Sequence, residues 1–214
     1  MRSILKGMLV MLVSTLSIGV LAAEAASAHT WTKNGVPITK ATAVKGKATL
    51  KFEERDNSGE SYECGIMQKA AVDGAKGEIT SITSTAGSNV ISCAQVHHAA
   101  AYPCGATAKI EVEAGDLPWD TELVTGAGSE LRDTIKAGGK GSPYWHIKCE
   151  STANTCAYEA GTSTGMKNLA GVGVEALFDA KSELGTCTVG GAGDLAITGS
   201  EVIALEVPFV LGAS

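Results

Sequence analysis

Residues 106–113 read Ala106-Thr107-Ala108-Lys109-Ile110-Glu111-Val112-Glu113. In an extended chain, Ala106, Ala108, Ile110 and Val112 fall on one side and Thr107, Lys109, Glu111 and Glu113 on the other. This period of two lets a strand bury one face and wet the other. The pattern recurs outward from this stretch. Ala48-Leu50-Phe52 alternates with Thr49-Lys51-Glu53, the turn-forming run Asp56-Asn57-Ser58-Gly59 follows, and Tyr62-Cys64-Ile66 begins a second alternation, which together spell a hairpin. Trp119-Thr121-Leu123, Trp145-Ile147-Cys149 and Ile203-Leu205-Val207-Phe209 repeat it. One dry face and one wet face per strand is the habit of antiparallel sheets.

Helical candidates are few. Ala94 to Ala101 could form a turn or two, and Val174 to Leu184 could be helical, although the Gly171-Val172-Gly173 run before it favours a strand. The fold expected is therefore all-β, an antiparallel β-sandwich or partly closed barrel of about ten strands. In this frame the indoles of Trp119 and Trp145 point inward.

The chain of 214 residues is 44% hydrophobic and 19% charged, with a net charge of −6. A charged fraction below the usual ~25% with ordinary hydrophobicity argues against intrinsic disorder. The acidic balance argues against a nucleic-acid partner, whose phosphates need a basic surface. Near the start, Arg2 and Lys6 precede an apolar run from Met8 to Ala23, and Ala26-Ser27-Ala28 offers a small-residue cleavage site. These three features read as a signal peptide spanning 1–28, cleaved after Ala28. The run is shorter than the ~20 apolar residues of a membrane anchor. Residues 29–214 then form one extracellular domain without a membrane span, and the glycine-rich stretch 138–143 reads as a loop within it.

All six cysteines lie in that exported part, and an even number in an oxidising compartment reads as three disulfides. Fifteen pairings are possible. Strand-end positions suggest Cys149–Cys156 across a short loop, Cys93–Cys104 across another, and Cys64–Cys187 joining an early strand to a late one.

Candidate chemistry is sparse. Cys93, His97, His98 and Cys104 cluster in sequence, but their spacing departs from zinc-finger forms and oxidation would remove the thiolates, so no metal and no cofactor are expected. Asp116, Asp120 and Glu122 flank Trp119 as a sugar-cleaving acid pair would, yet Asp120 and Glu122 share the face opposite the indole, which places them in water. No nucleophile elbow and no phosphate-binding loop is present, and Gly190-Gly191-Ala192-Gly193 reads as a hairpin turn. Lys33, Lys40, Lys45, Lys47 and Lys51 could face an anionic envelope polymer, or form an ordinary solvated surface.

Trp31 with Asn34-Gly35, the run Leu117 to Leu123, Arg132-Asp133, and Tyr144-Trp145 leading to Cys149 and Cys156 together resemble exported proteins present in many copies in some soil actinobacteria. That resemblance implies a secreted, cysteine-stapled β domain, and brings no catalytic residue or ligand with it. The reading that follows is a non-catalytic protein that binds at, or builds, the cell envelope or its surroundings. The alternatives are a secreted carbohydrate-active hydrolase using Asp116, Asp120 and Glu122, and a small secreted inhibitor or toxin presenting the segment between Cys93 and Cys104.

Overall fold

The computed structural model describes residues 29–54, 60–98, 109–136, 143–149, 152–158, 163–179, 184–187, 195–205 and 210–214. The proposed signal peptide, the turn at 56–59, most of the loop at 138–143, the turn at 190–193 and Cys104 lie outside them. Strands dominate: β1 (Trp31–Lys33), β2 (Val36–Pro37), β3 (Thr42–Glu54), β4 (Ser61–Asp73), β5 (Lys76–Ser84), β6 (Ile91–His97), β7 (Ile110–Gly115) and β8 (Trp119–Thr125). They continue through β9 (Leu131–Ile135), β10 (Tyr144–Cys149), β11 (Thr152–Tyr158), β12 (Ser163–Leu169), β13 (Gly173–Phe178), β14 (Leu184–Cys187), β15 (Leu195–Leu205) and β16 (Leu211–Ala213). One short 3-10 turn, Ala127–Ser129, is the exception among the described residues. The Val174 candidate helix is strand β13, and Ala94 to His97 belong to β6.

The alternation expected from the sequence is present and the fold is all-β, but of the two architectures expected it is the barrel that forms, fully rather than partly closed, and the described strands outnumber the ten or so expected. Strands β4, β3, β15, β13, β12, β9, β8 and β5 pair in that order, and β5 pairs back to β4, so eight antiparallel strands close a barrel. Such a barrel is just wide enough for side chains to fill it or for one small ligand. Along β3, Val44, Ala48 and Leu50 are buried while Lys45 and Lys47 are exposed, so the apolar face lines the interior.

The sheet forks at Gly65. Ile66 to Asp73 of β4 pair with β5, whereas Ser61 to Cys64 pair with β6. Between β5 and β6 the chain steps aside through residues 85–90, where Gly87 takes a left-handed φ of 88° and its amide donates to the Ser84 carbonyl at 2.8 Å. Beyond the fork, β6, β7, β10, β11 and β14 continue as a second sheet, or wing, and β14 comes back against β15. In β7, Ile110 and Val112 are buried as the alternation requires.

The disulfides need correction. Cys64 and Cys93 face each other directly on β4 and β6, with Cα atoms 4.5 Å apart, and are bonded. That spacing is the close cross-strand pair of an antiparallel ladder. The bond replaces both the expected Cys93–Cys104 and Cys64–Cys187 pairings, because β6 returns beside β4, a neighbour that loop lengths do not reveal. Cys149–Cys156 also fails. The β10–β11 register sets Cys149 opposite Thr152 and Cys156 opposite Trp145, an offset of roughly 13 Å at 3.3 Å per residue. Cys149 is nonetheless disulfide-bonded.

Two apolar clusters fill the molecule. One gathers Phe52, Tyr62, Ile110, Val112, Trp119, Trp145, Ile147, Leu195 and Ile197 around the fork and wing. Trp145 meets Phe52 edge-on at 5.3 Å and Trp119 at 5.5 Å. The other gathers Trp31, Ile38, Val44, Val72, Leu123, Met166, Val174, Ile203, Leu205 and Leu211 at the opposite end of the barrel. There the three-stranded sheet β16-β1-β2 plugs the opening. Asn168 of β12 clamps it, donating from Nδ2 to the Ala213 carbonyl and accepting from the Ala213 amide at Oδ1, both at 2.8 Å.

Candidate functional site inside the barrel

Between the two apolar clusters the inward positions turn small or polar. Gly46 on β3 separates Val44 from Ala48, Gln68 on β4 separates Ile66 from Ala70, and Thr121 on β8 separates Trp119 from Leu123. Asp133 on β9, Thr164 on β12 and Glu201 on β15 face inward at this belt. The pairings carry the belt across the ladder, with Asp133 opposite both Leu123 and Thr164, and Glu201 opposite both Ala48 and Ala176. The belt lines a cavity of about 50 Å³ whose walls include Leu50, Ile66, Ile79, Ile82, Trp119, Trp145 and Phe178. On the measure by which one water needs ~10–15 Å³, this holds a few waters or one small molecule.

Glu201 is only 4% exposed, and its Oε1 has no hydrogen-bond partner. Its carboxyl lies over Gly46, where an added Cβ would stand 1.8 Å from Oε1. A side chain at position 46 would therefore fill the space the carboxyl uses. Asp133 accepts a hydrogen bond from Thr121, while its Oδ1 is buried without a partner. Thr121 in turn leans over Gly77, where a Cβ would stand 2.5 Å from its hydroxyl oxygen.

Burial in an apolar wall disfavours the charged form of a carboxyl. It pushes Asp133 up to about 7, against the pull of the Thr121 hydrogen bond. Burial, and then the nearby Asp133 charge, push Glu201 up to about 8. The cation next to Asp133 in sequence gives no relief. Arg132 points to the outer face, where Nε donates to Ser163 Oγ at 2.7 Å and Nη2 to the Ser163 carbonyl at 2.7 Å. Asp179 and Glu130 complete its shell at 3.2 Å each. Their hydrogen bonds and charges outweigh burial and hold the guanidinium above its ordinary value.

The residues singled out from sequence lie elsewhere. Trp31, Trp119 and Trp145 are 1–2% exposed, so the indoles do point inward, and Trp119 Nε1 donates to the Gly115 carbonyl at 2.7 Å. Asp116 takes a left-handed φ of 52° just before β8. Asp120 and Glu122 sit on the outer barrel face, opposite Glu78 and Lys76, and Glu122 pairs with Lys136. None of the three lines the cavity. Cys93 is bonded to Cys64, while His98 Nδ1 stands 3.4 Å from Glu60 Oε2. Among the described residues no group of three His, Cys, Asp or Glu is placed to hold a metal ion, and no helix is long and apolar enough to cross a membrane. Lys45 and Lys47 point outward from β3, with Lys45 directly opposite Lys69 of β4, while Lys51 pairs with Glu53.

Asp133 and Glu201 escaped the sequence reading, though a signal existed. Asp133 is in phase with Leu131 and Ile135, and Glu201 with Ile203 and Leu205. An acid on the apolar phase of a strand is the mark of a buried carboxyl. Searches against protein-family models, curated proteins and solved structures return no significant match.

Proposed function

We propose that this protein is a secreted, disulfide-stapled β-barrel that acts without catalysis, as a binding protein of the cell envelope or its surroundings, with the barrel interior as its ligand site. One observation carries the reading: a closed barrel that packs both ends densely leaves a cavity in its middle, lined by carboxyl oxygens without partners. Buried polar atoms without partners are few in folded proteins, because each costs roughly 1–3 kcal/mol, and a ligand that satisfies two of them at once accounts for their place on one cavity wall.

Export rests on the leader-like residues 1–28 and on sulfur oxidation. Cys64–Cys93 is formed, Cys149 is bonded, and the register sets Cys156 opposite Cys187. A set of three disulfides completed by Cys104–Cys149 and Cys156–Cys187 agrees with all of these. Non-reducing peptide mapping of the secreted protein tests it, and a Cys149–Cys156 peptide would refute that set.

The binding role is tested by thermal unfolding and tryptophan fluorescence in the presence of small cations, alcohols and acids. A ligand that occupies the cavity raises the melting temperature and shifts the emission of Trp119 and Trp145. If no class of small molecule does either, the reading fails. Turnover of glycans by the same preparation would favour the hydrolase instead.

A further inference from the structure

We propose that the barrel cavity takes a small organic ammonium ion, held between the carboxylates of Asp133 and Glu201 with its carbon stem against the apolar wall. The inference rests on the binding reading above and names the chemistry of the ligand. Two buried oxygens, Asp133 Oδ1 and Glu201 Oε1, have no partner, and Glu201 is sealed from solvent. Among the described residues no side chain lining the cavity carries a positive charge, since Arg132 is engaged with Ser163, Glu130 and Asp179 and the lysines of β3 point away. Among the described residues, these two are the charged or acidic groups that line the space.

An ammonium offers three donors to satisfy such acceptors, with Gln68 and Thr164 also on the wall. The remaining lining is aliphatic and aromatic, with Trp119, Trp145 and Phe178 as rings that favour organic cations. A calcium ion asks instead for six to eight oxygens, and the mostly apolar wall supplies few. The volume limits the stem to a few carbons.

Binding has a definite proton balance. Below about pH 7 both acids of the empty site hold protons, and between about 7 and 8 Glu201 still does, so an arriving ammonium replaces them and each carboxylate formed releases its proton to solvent.

The test titrates the intact, oxidised protein with ethyl-, propyl- and butylammonium chloride, with the matching alcohols, and with calcium chloride. Calorimetry in two buffers of different ionisation heat reads proton release, and tryptophan fluorescence reads occupancy. Alkylammonium ions are expected to bind at least about tenfold more tightly than the alcohols, to release protons at pH 6, and to bind more tightly near pH 9. Glu201→Gln and Asp133→Asn should each weaken them by at least about tenfold while circular dichroism stays unchanged. Equal affinity for ammonium and alcohol, or affinity untouched by both substitutions, overturns the proposal. So does binding of calcium or an alcohol alone, although that result leaves the barrel as a ligand site. No binding of any probe at about 10 mM removes both readings.

Discussion

The same three strands build two different interiors. Where β3, β4 and β15 pass the fork, they contribute Leu50, Phe52, Tyr62, Cys64, Leu195 and Ile197 to a packed aromatic core. A few residues along, within the barrel, they contribute Gly46, Gln68 and Glu201 to a polar belt around a cavity. Strand propensity does not separate the regions, since both alternate and both pair in register. The difference lies in what the inward positions do: one region maximises contact, and the other gives up contact to keep carboxyls in an apolar space. Stability should therefore come from the first region and be reduced by the second.

The largest effect expected is at the aromatic end. Trp145→Ala removes a ring packed against both Phe52 and Trp119, and should cost roughly 3–5 kcal/mol in urea denaturation. A loss below about 1 kcal/mol would erase the contrast between the regions. Next comes the fork. Replacing Cys64 and Cys93 by Ser opens a bridge with a sequence separation of 29, and should lower stability by roughly 3–4 kcal/mol, read as a lower denaturation midpoint with an equal or steeper slope.

The belt should respond with the opposite sign. Asp133 and Glu201 bind protons more tightly when folded, about 7 and about 8 against 3.8 and 4.5. Between those limits the folded state holds more protons than the unfolded state, so stability falls as pH rises. The penalty is absent below about pH 4, grows through the window, and is complete above about pH 8. The double variant Asp133→Asn/Glu201→Gln should flatten this dependence and melt several degrees above the parent near pH 9. A parent melting curve independent of pH from 5 to 9 would show that the two acids do not carry the penalty assigned to them. The smallest effect is at Gly46. Gly46→Ala forces the Glu201 carboxyl to move, at roughly 1–2 kcal/mol, and should abolish any ammonium-dependent rise in melting temperature.

Much of this was legible from sequence. The alternation at Ile110 and Val112, at Ala48 to Phe52 and at Trp119 to Leu123 marks real strands, and the buried indoles follow from the same phase. A partly closed barrel was among the expectations, but its full closure was not legible, because it depends on the pairing of β5 with β8 and on one edge of β4 taking two partners along its length. The cysteine pairing failed for the same reason: Cys93 reaches Cys64 only because the chain steps aside at 85–90 and resumes alongside β4. The acid pair joins residues 68 positions apart on strands that are not neighbours. Neither acid stands in a motif, and only the wrong phase of charge within an apolar alternation could have flagged them.

The sheet β16-β1-β2 has a consequence for assembly. Thr30 and Ser214 exchange backbone hydrogen bonds at 2.7 and 3.1 Å, so the floor of the vessel joins early residues to late ones. Since β16 follows every described wall strand in the chain, the floor needs the first and the last described strands together before it can close. Joining residues 30 and 214 through a short peptide, with new ends cut in an exposed loop, should therefore leave the barrel and its floor intact.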